Sequence, residues 1–151
     1  MQLTQILTSL GASVLIFSFT STAMGQTNAP NKADEVILEM SQAFKKNDKA
    51  QLSRLLPKAK GHTLEPWAAY WELRVRLDQA SDSEIQQFLS QYAGTYAEDR
   101  LRNDWLLQLG RQRDWANFAK EYPLFRMNDD REVRCYALST DAFLSKPETA
   151  A

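Results

Sequence analysis

From Ala33 onward, apolar residues return every three or four positions, the rhythm of helices that bury one face. The pattern is clearest from Asp99 to Tyr122, DRLRNDWLLQLGRQRDWANFAKEY. Leu101, Trp105 and Leu109 share one face, which Leu106 widens; Trp115, Phe118, Ala119 and Tyr122 then repeat the spacing. Gly110 lies near the end of the first apolar run, and Asp114 is placed to N-cap the second helix. A pair of this kind cannot bury both stripes alone and needs neighbouring pairs to complete its core.

The same rhythm predicts further helices on either side. Ala33, Val36, Ile37, Met40 and Phe44 mark one that ends at Lys46, and Asn47 and Asp48 break it. Leu52, Leu55, Leu56 and Ala59 mark a shorter one that Pro57 stops near Leu56. Pro66 opens the next, which carries Trp67, Tyr70, Trp71, Val75 and Leu77 to about Gln79. Ser81 or Ser83 caps a helix bearing Ile85, Phe88, Leu89 and Tyr92, and Gly94 ends it. After a connector from Pro123 to Asn128, Asp129 or Asp130 starts a helix holding Val133, Cys135, Tyr136 and Ala137. No segment sustains period-two alternation. The expected fold is all-α, a right-handed superhelix or solenoid of short antiparallel helix pairs, truncated in this chain. Ser145-Lys146-Pro147-Glu148 has the form of a capping box with proline in the first turn. That start signal, followed only by Thr149, Ala150 and Ala151, predicts a longer open reading frame.

Composition adds little to this picture and removes some alternatives. A net charge of -1 over 151 residues argues for neither nucleic acid nor an anionic membrane as partner. Four Trp against only five Gly and five Pro favour helices with large apolar anchors. Cys135, the single cysteine, excludes an internal disulfide and reads as a small core residue on its helix.

The first residues are of another kind. Ile6 to Phe19 is apolar and uncharged, too short to span a bilayer comfortably, and Ala23-Met24-Gly25 supplies the small residues of a cleavage site. Residues 1–25 are expected to be a cleaved secretory signal, although no Lys or Arg precedes the apolar run. Residues 26–32 are a polar spacer, and 33–151 are the exported helical part.

Candidate chemistry is sparse. With one histidine and one cysteine far apart, no zinc ligand set is present, and no cofactor motif (P-loop, GxGxxG) occurs. His62 reads as a solvated loop residue, because a general base needs an orienting carboxylate and a nucleophile that no motif supplies. The paired acids Glu98-Asp99 and Asp129-Asp130 lie at helix starts, where they complement the macrodipole. Trp67, Tyr70, Trp71 and Glu72, with Glu65 beside them, have a composition that could contact sugar, though aromatics at helical spacing are more often core. No residue reads as catalytic.

Three stretches carry a resemblance. Leu64-Glu65-Pro66-Trp67-Ala68-Ala69-Tyr70-Trp71-Glu72-Leu73 resembles the PL-x-PY-x-EY-x-x-L segment of soluble lytic murein transglycosylases. Leu101-Arg102-Asn103-Asp104-Trp105-Leu106 followed by Asp114-Trp115-Ala116-Asn117-Phe118 is similar to their LR-x-x-WL … W-x-x-F helix pair. Cys135 sits where the next helix of that family often carries a cysteine. The resemblance covers roughly residues 33–145. It implies a periplasmic protein whose N-terminal superhelix helps hold peptidoglycan glycan strands, with other cell-wall enzymes as further partners. It also implies a later lysozyme-like domain in which one Glu, followed by Ser, cleaves the MurNAc–GlcNAc bond to a 1,6-anhydro product. That scheme differs from the two-carboxylate route of ordinary glycoside hydrolases. No Glu here is followed by Ser, so no position of this chain takes the catalytic role. The alternative is a stand-alone tetratricopeptide-like module that binds periplasmic proteins. The Trp105-Leu109-Gly110 neighbourhood loosely resembles that repeat, without its period of about 34 residues.

Overall fold

The computed structural model describes residues 31–145, with side chains as far as Thr140. The signal and most of the spacer expected before Asn31, and the capping box running into Glu148, lie outside the described residues. Among the described residues the chain is all-helical: α1 (Lys32–Lys45), α2 (Lys49–Leu55), α3 (Glu65–Arg74), α4 (Asp82–Gln91), α5 (Tyr96–Gln112), α6 (Trp115–Glu121) and α7 (Arg131–Ser145). Short 3-10 turns at Leu56–Ala59 and Tyr122–Leu124 extend α2 and α6.

The helix ends follow local chemistry. Asn31, Asp48, Ser81, Thr95 and Asp114 each accept a backbone N–H of the first turn that follows them, satisfying donors with no partner inside the helix. Ser81 does so within a full capping box with Glu84. Asp130 caps α7, accepting the N–H groups of Glu132 and Val133 at 2.8 and 3.1 Å. Burial alone would raise its carboxyl, but the N–H bonds and the Asn103 amide outweigh that and hold it below the usual range.

Two boundaries differ from the sequence expectation. α3 ends at Arg74, not near Gln79, and Val75 to Gln79 continues as turns with i→i+3 bonds. α5 runs through Gly110 to Gln112, and the left-handed residue after it is Arg113, at φ 60°. Gly110 serves packing instead. A Cβ there would strike the ring of Tyr136, so the missing side chain is what lets α7 lie close against α5.

The core has two parts. Ile37, Met40, Ala43, Leu52, Leu55, Ala59 and Ala68 form a smaller cluster under α1 and α2. A larger one gathers α3 to α7 around Leu101, Trp105, Leu106, Leu109 and Phe118. Leu56 and Trp71 pack against both. α5 is the central element, in contact with α3, α4, α6 and α7. From Ala97 to Leu106 every residue except Arg100 is buried.

Candidate functional site

Enclosing α5 forces its charged residues out of water, and the fold answers with paired charges. Glu98 and Asp99 are 4% and 2% exposed, so they are far more than helix-start acids facing solvent. Arg102 donates to Glu98 at 2.6 Å and, from its other guanidinium nitrogen, to Glu121 on α6. Gln86 of α4 donates to the other Glu121 oxygen at 2.6 Å. Asp99 accepts the backbone N–H groups of Arg126 and Met127 at 2.9 and 2.8 Å, which pins the segment before α7 onto α5. The Arg126 side chain closes the set on Glu98 at 2.7 Å. With every carboxylate held by a guanidinium, an amide or backbone N–H groups, this cluster is a structural clamp and leaves no group free to act on a substrate. Asn103 donates to Asp130 at 3.2 Å, while its buried Oδ1 has no partner among the described residues. Nothing in the structure explains that orphan.

The aromatic candidates of α3 fall on its inner side. Tyr70 is buried and donates to Asp104 at 2.8 Å. Burial, and then the adjacent Asp104 carboxylate, push its phenol up to about 12. Trp67 meets Tyr70 edge-on at 5.4 Å and Tyr96 at 5.5 Å, and Trp71 stacks on Phe44 of α1 at 6.1 Å. Both tryptophans are half-buried within this cluster, so the structure brings the three rings together as a joint between α1, α3 and α5. Glu72 is buried too, on a different side of α3: it accepts from Ser53 of α2 at 2.8 Å and from Arg76 at 2.9 Å.

That second side of α3 faces a cleft. The cleft, about 360 Å³, lies between the 3-10 turn after α2, α3 and α4. Phe88 and Tyr92 supply apolar surface, and Glu65, Glu72, Arg76, Glu84, Gln87 and Gln91 supply polar groups. Several are held in place. Glu65 accepts from the Gly61 N–H at 2.6 Å and from the Tyr92 hydroxyl at 3.1 Å. Arg76 bridges Glu72 and Glu84, each at 2.9 Å. The Glu72 bond, more than any other contact, raises the guanidinium. The Ser81 N–H and then Arg76 hold Glu84 below the carboxylate range. Burial, followed by Glu65, pushes the Tyr92 phenol up to about 12. Gln87 and Gln91 stay exposed. An open trough with the Tyr92 ring, fixed acceptors and exposed amides, of which Gln91 donates to the Tyr92 hydroxyl at 3.0 Å, suits a ligand rich in hydroxyl and amide groups. Of the four residues named from sequence, only Glu72 lines it. Gln87 and Gln91 were missed because their sequence signal is that of an ordinary solvated helix face, and Tyr92 because it falls on the apolar face of its helix.

His62 and Cys135 both correct their sequence readings. His62 is more than a solvated loop residue: its Nδ1 accepts from the Leu64 N–H at 2.9 Å, leaving Nε2–H to donate to Asp34 of α1 at 2.9 Å. That bond, ahead of other effects, lowers the Asp34 carboxyl. The ring thus has an orienting carboxylate, yet among the described contacts it meets no nucleophile; its role is to tie the loop to α1. Cys135 is exposed and not a core residue. Val133, two positions earlier and fully buried, takes the inward place on α7.

Among the described residues, no group of three or more His, Cys, Asp or Glu is arranged to hold a metal ion, and no helix is long and apolar enough to cross a membrane. No protein-family model, curated protein or solved structure matches this chain.

Proposed function

We propose that this chain is the N-terminal part of the α-superhelical scaffold of a periplasmic lytic transglycosylase, and that its α3–α4 cleft holds peptidoglycan glycan strands. The single observation that carries the glycan-holding role is the cleft itself, where Phe88 and Tyr92 lie among carboxylates and amides that match sugar hydroxyl and acetamido groups. The contact pattern supports a superhelix: among the described residues, no helices more than two apart in sequence make substantial contact, as in an array where each repeat touches its neighbours. The α3 segment, the α5–α6 pair and Cys135 on α7 are the features on which the family resemblance rests. In this reading the chain positions glycan, other cell-wall enzymes are further partners, and the bond-breaking Glu belongs to a later domain.

The test is co-sedimentation of the chain with purified sacculi. Binding is expected, and Gln87→Ala with Gln91→Ala should weaken it about threefold to tenfold, the loss of one or two hydrogen bonds. No release of anhydro-muropeptides is expected; release would overturn the assignment of chemistry to another domain. A second reading, a tetratricopeptide-like module for protein partners, draws on Leu124 and Leu138, which are 54% and 75% exposed. It would replace the first if the chain ignored sacculi and captured a defined periplasmic protein.

A further inference from the structure

A second pocket opens at the joint between α1, α3 and α5, lined by other residues than the α3–α4 cleft. Its volume is about 400 Å³. Phe44 and Val75, both half-buried, give it apolar surface, and Asn47 adds a side-chain amide. The polar lining is Tyr70, Asp104, Arg74 and Arg100. Asp104 is 5% exposed, and one of its oxygens takes both the Tyr70 hydroxyl at 2.8 Å and Arg74 Nε at 3.0 Å. The terminal nitrogens of Arg74 make no hydrogen bond among the described residues. Arg100, half-buried, lies beside the Tyr70 hydroxyl and has no ion-pair partner among the described residues. Asp130 is within its electrostatic reach but is already held by two backbone N–H groups and the Asn103 amide. Two guanidiniums therefore share one carboxylate in this lining, whereas Arg102 is closed on Glu98 and Glu121. The pocket is short of one negative charge.

We infer that this pocket binds a small monocarboxylate with a compact uncharged body, its carboxylate seated between Arg74 and Arg100. One negative charge balances the lining, while a phosphate dianion would stand in excess beside buried Asp104. A planar guanidinium also matches a carboxylate through two parallel N–H···O bonds, which an ammonium cannot do. Asp104, the acid of the lining, is already taken, so a ligand ammonium finds no partner and a free amino acid does not fit. Phe44 is braced by stacking on Trp71 at 6.1 Å and, with Val75, suits an apolar side group. The Asn47 amide makes no hydrogen bond among the described residues and suits an acyl-amide of the ligand. An acylated amino acid has this chemistry, and so does the carboxyl end of a peptide. The inference stands apart from the glycan reading and is tested without sacculi.

The test is NMR titration of the full chain, following backbone amides, with N-acetyl-leucine, N-acetyl-leucinamide, N-acetyl-alanyl-leucine and inorganic phosphate. N-acetyl-leucine should shift the amides of Asn47 and Val75, and the leucinamide should bind at least about tenfold more weakly. Arg100→Gln should weaken the acid about tenfold or more, with helicity checked by circular dichroism. Arg74→Gln, on a more exposed side chain, should weaken it in the same direction. Arg100→Lys keeps the charge without the fork and should still lose about threefold. Tighter binding of the dipeptide than of N-acetyl-leucine supports a peptide end as the source, and equal binding supports a free acyl amino acid. Equal binding of acid and amide overturns the inference, as does wild-type affinity in both glutamine variants. Shifts confined to other parts of the chain overturn it too, and so does tighter binding of phosphate than of N-acetyl-leucine.

Discussion

The two ends of this fold treat charge in opposite ways. Around α5, acids and arginines are buried and closed on one another; along α2 and its 3-10 turn, cations stand in water with almost no partner. Both arrangements sit on cores of the same apolar kind, so hydrophobicity does not distinguish them. What does is enclosure. α5 is surrounded by four helices, and any charge it carries must be matched internally, because desolvating an ion costs several kcal/mol. α2 is covered on one side only, so its outer cations stay hydrated and keep their charge available. The first arrangement fixes a shape, and the second leaves a surface able to meet something else.

The sharpest way to break this comparison is to unpair the buried set. Arg102→Ala leaves Glu121 with no cation and Glu98 with Arg126 alone, and should cost about 3–5 kcal/mol in urea unfolding. Replacing Arg102 and both carboxylates together by apolar residues of similar volume should cost less than the single change. Arg54→Ala on the open face should stay within about 0.5 kcal/mol of wild type. Were Arg102→Ala equally mild, the clamp at α5 would be wrong.

Next in size is Gly110→Ala. The added methyl meets the ring of Tyr136, and the overpacking should cost about 1–3 kcal/mol. Hydrogen exchange should show α7 loosening first while α1 and α2 keep their protection.

The seam between the regions is open to a pH test. Tyr70 touches Phe44 of α1 and donates to Asp104 of α5, and its phenol is raised to about 12. A group whose folded pKa lies above its unfolded value contributes stability in full below the unfolded pKa, near 10 for Tyr, and loses it as pH rises toward the folded one. Stability should therefore fall between about pH 10 and 12, less steeply in Tyr70→Phe. Absorbance titration of the phenolate should show one fewer late-ionising tyrosine in that variant.

The smallest effect belongs to the open face. Raising salt screens repulsion among the α2 cations, so exchange of α2 amides should slow by an amount equivalent to a few tenths of a kcal/mol. The amides of α5 should barely respond.

Much of this fold was legible along the chain because helix formation is local. Apolar spacing of three and four, Ser81 and Asp114 as caps, Asn47 and Asp48 as a break, and Pro57 and Pro66 as boundaries report on neighbouring residues only. The extent of α3 was less legible, because its last predicted turn was traded for 3-10 bonding beyond Arg74. The cleft was largely hidden. Its rings and amides come from α3 and α4 together, and neither helix advertises which of its polar residues will face the other.

The sequence alone determined the helices, the Ser81 and Asp114 caps, the inward apolar faces and the run of basic residues from Lys45 to Lys60. Only the tertiary structure decided that Glu98, Asp99, Arg102 and Asp104 are buried, that Cys135 points to solvent, and that His62 binds Asp34. The physical reason is range. Periodicity encodes which face of a helix is apolar, but a polar residue's exposure depends on what covers it, and here the cover arrives from segments 19 to 35 residues away.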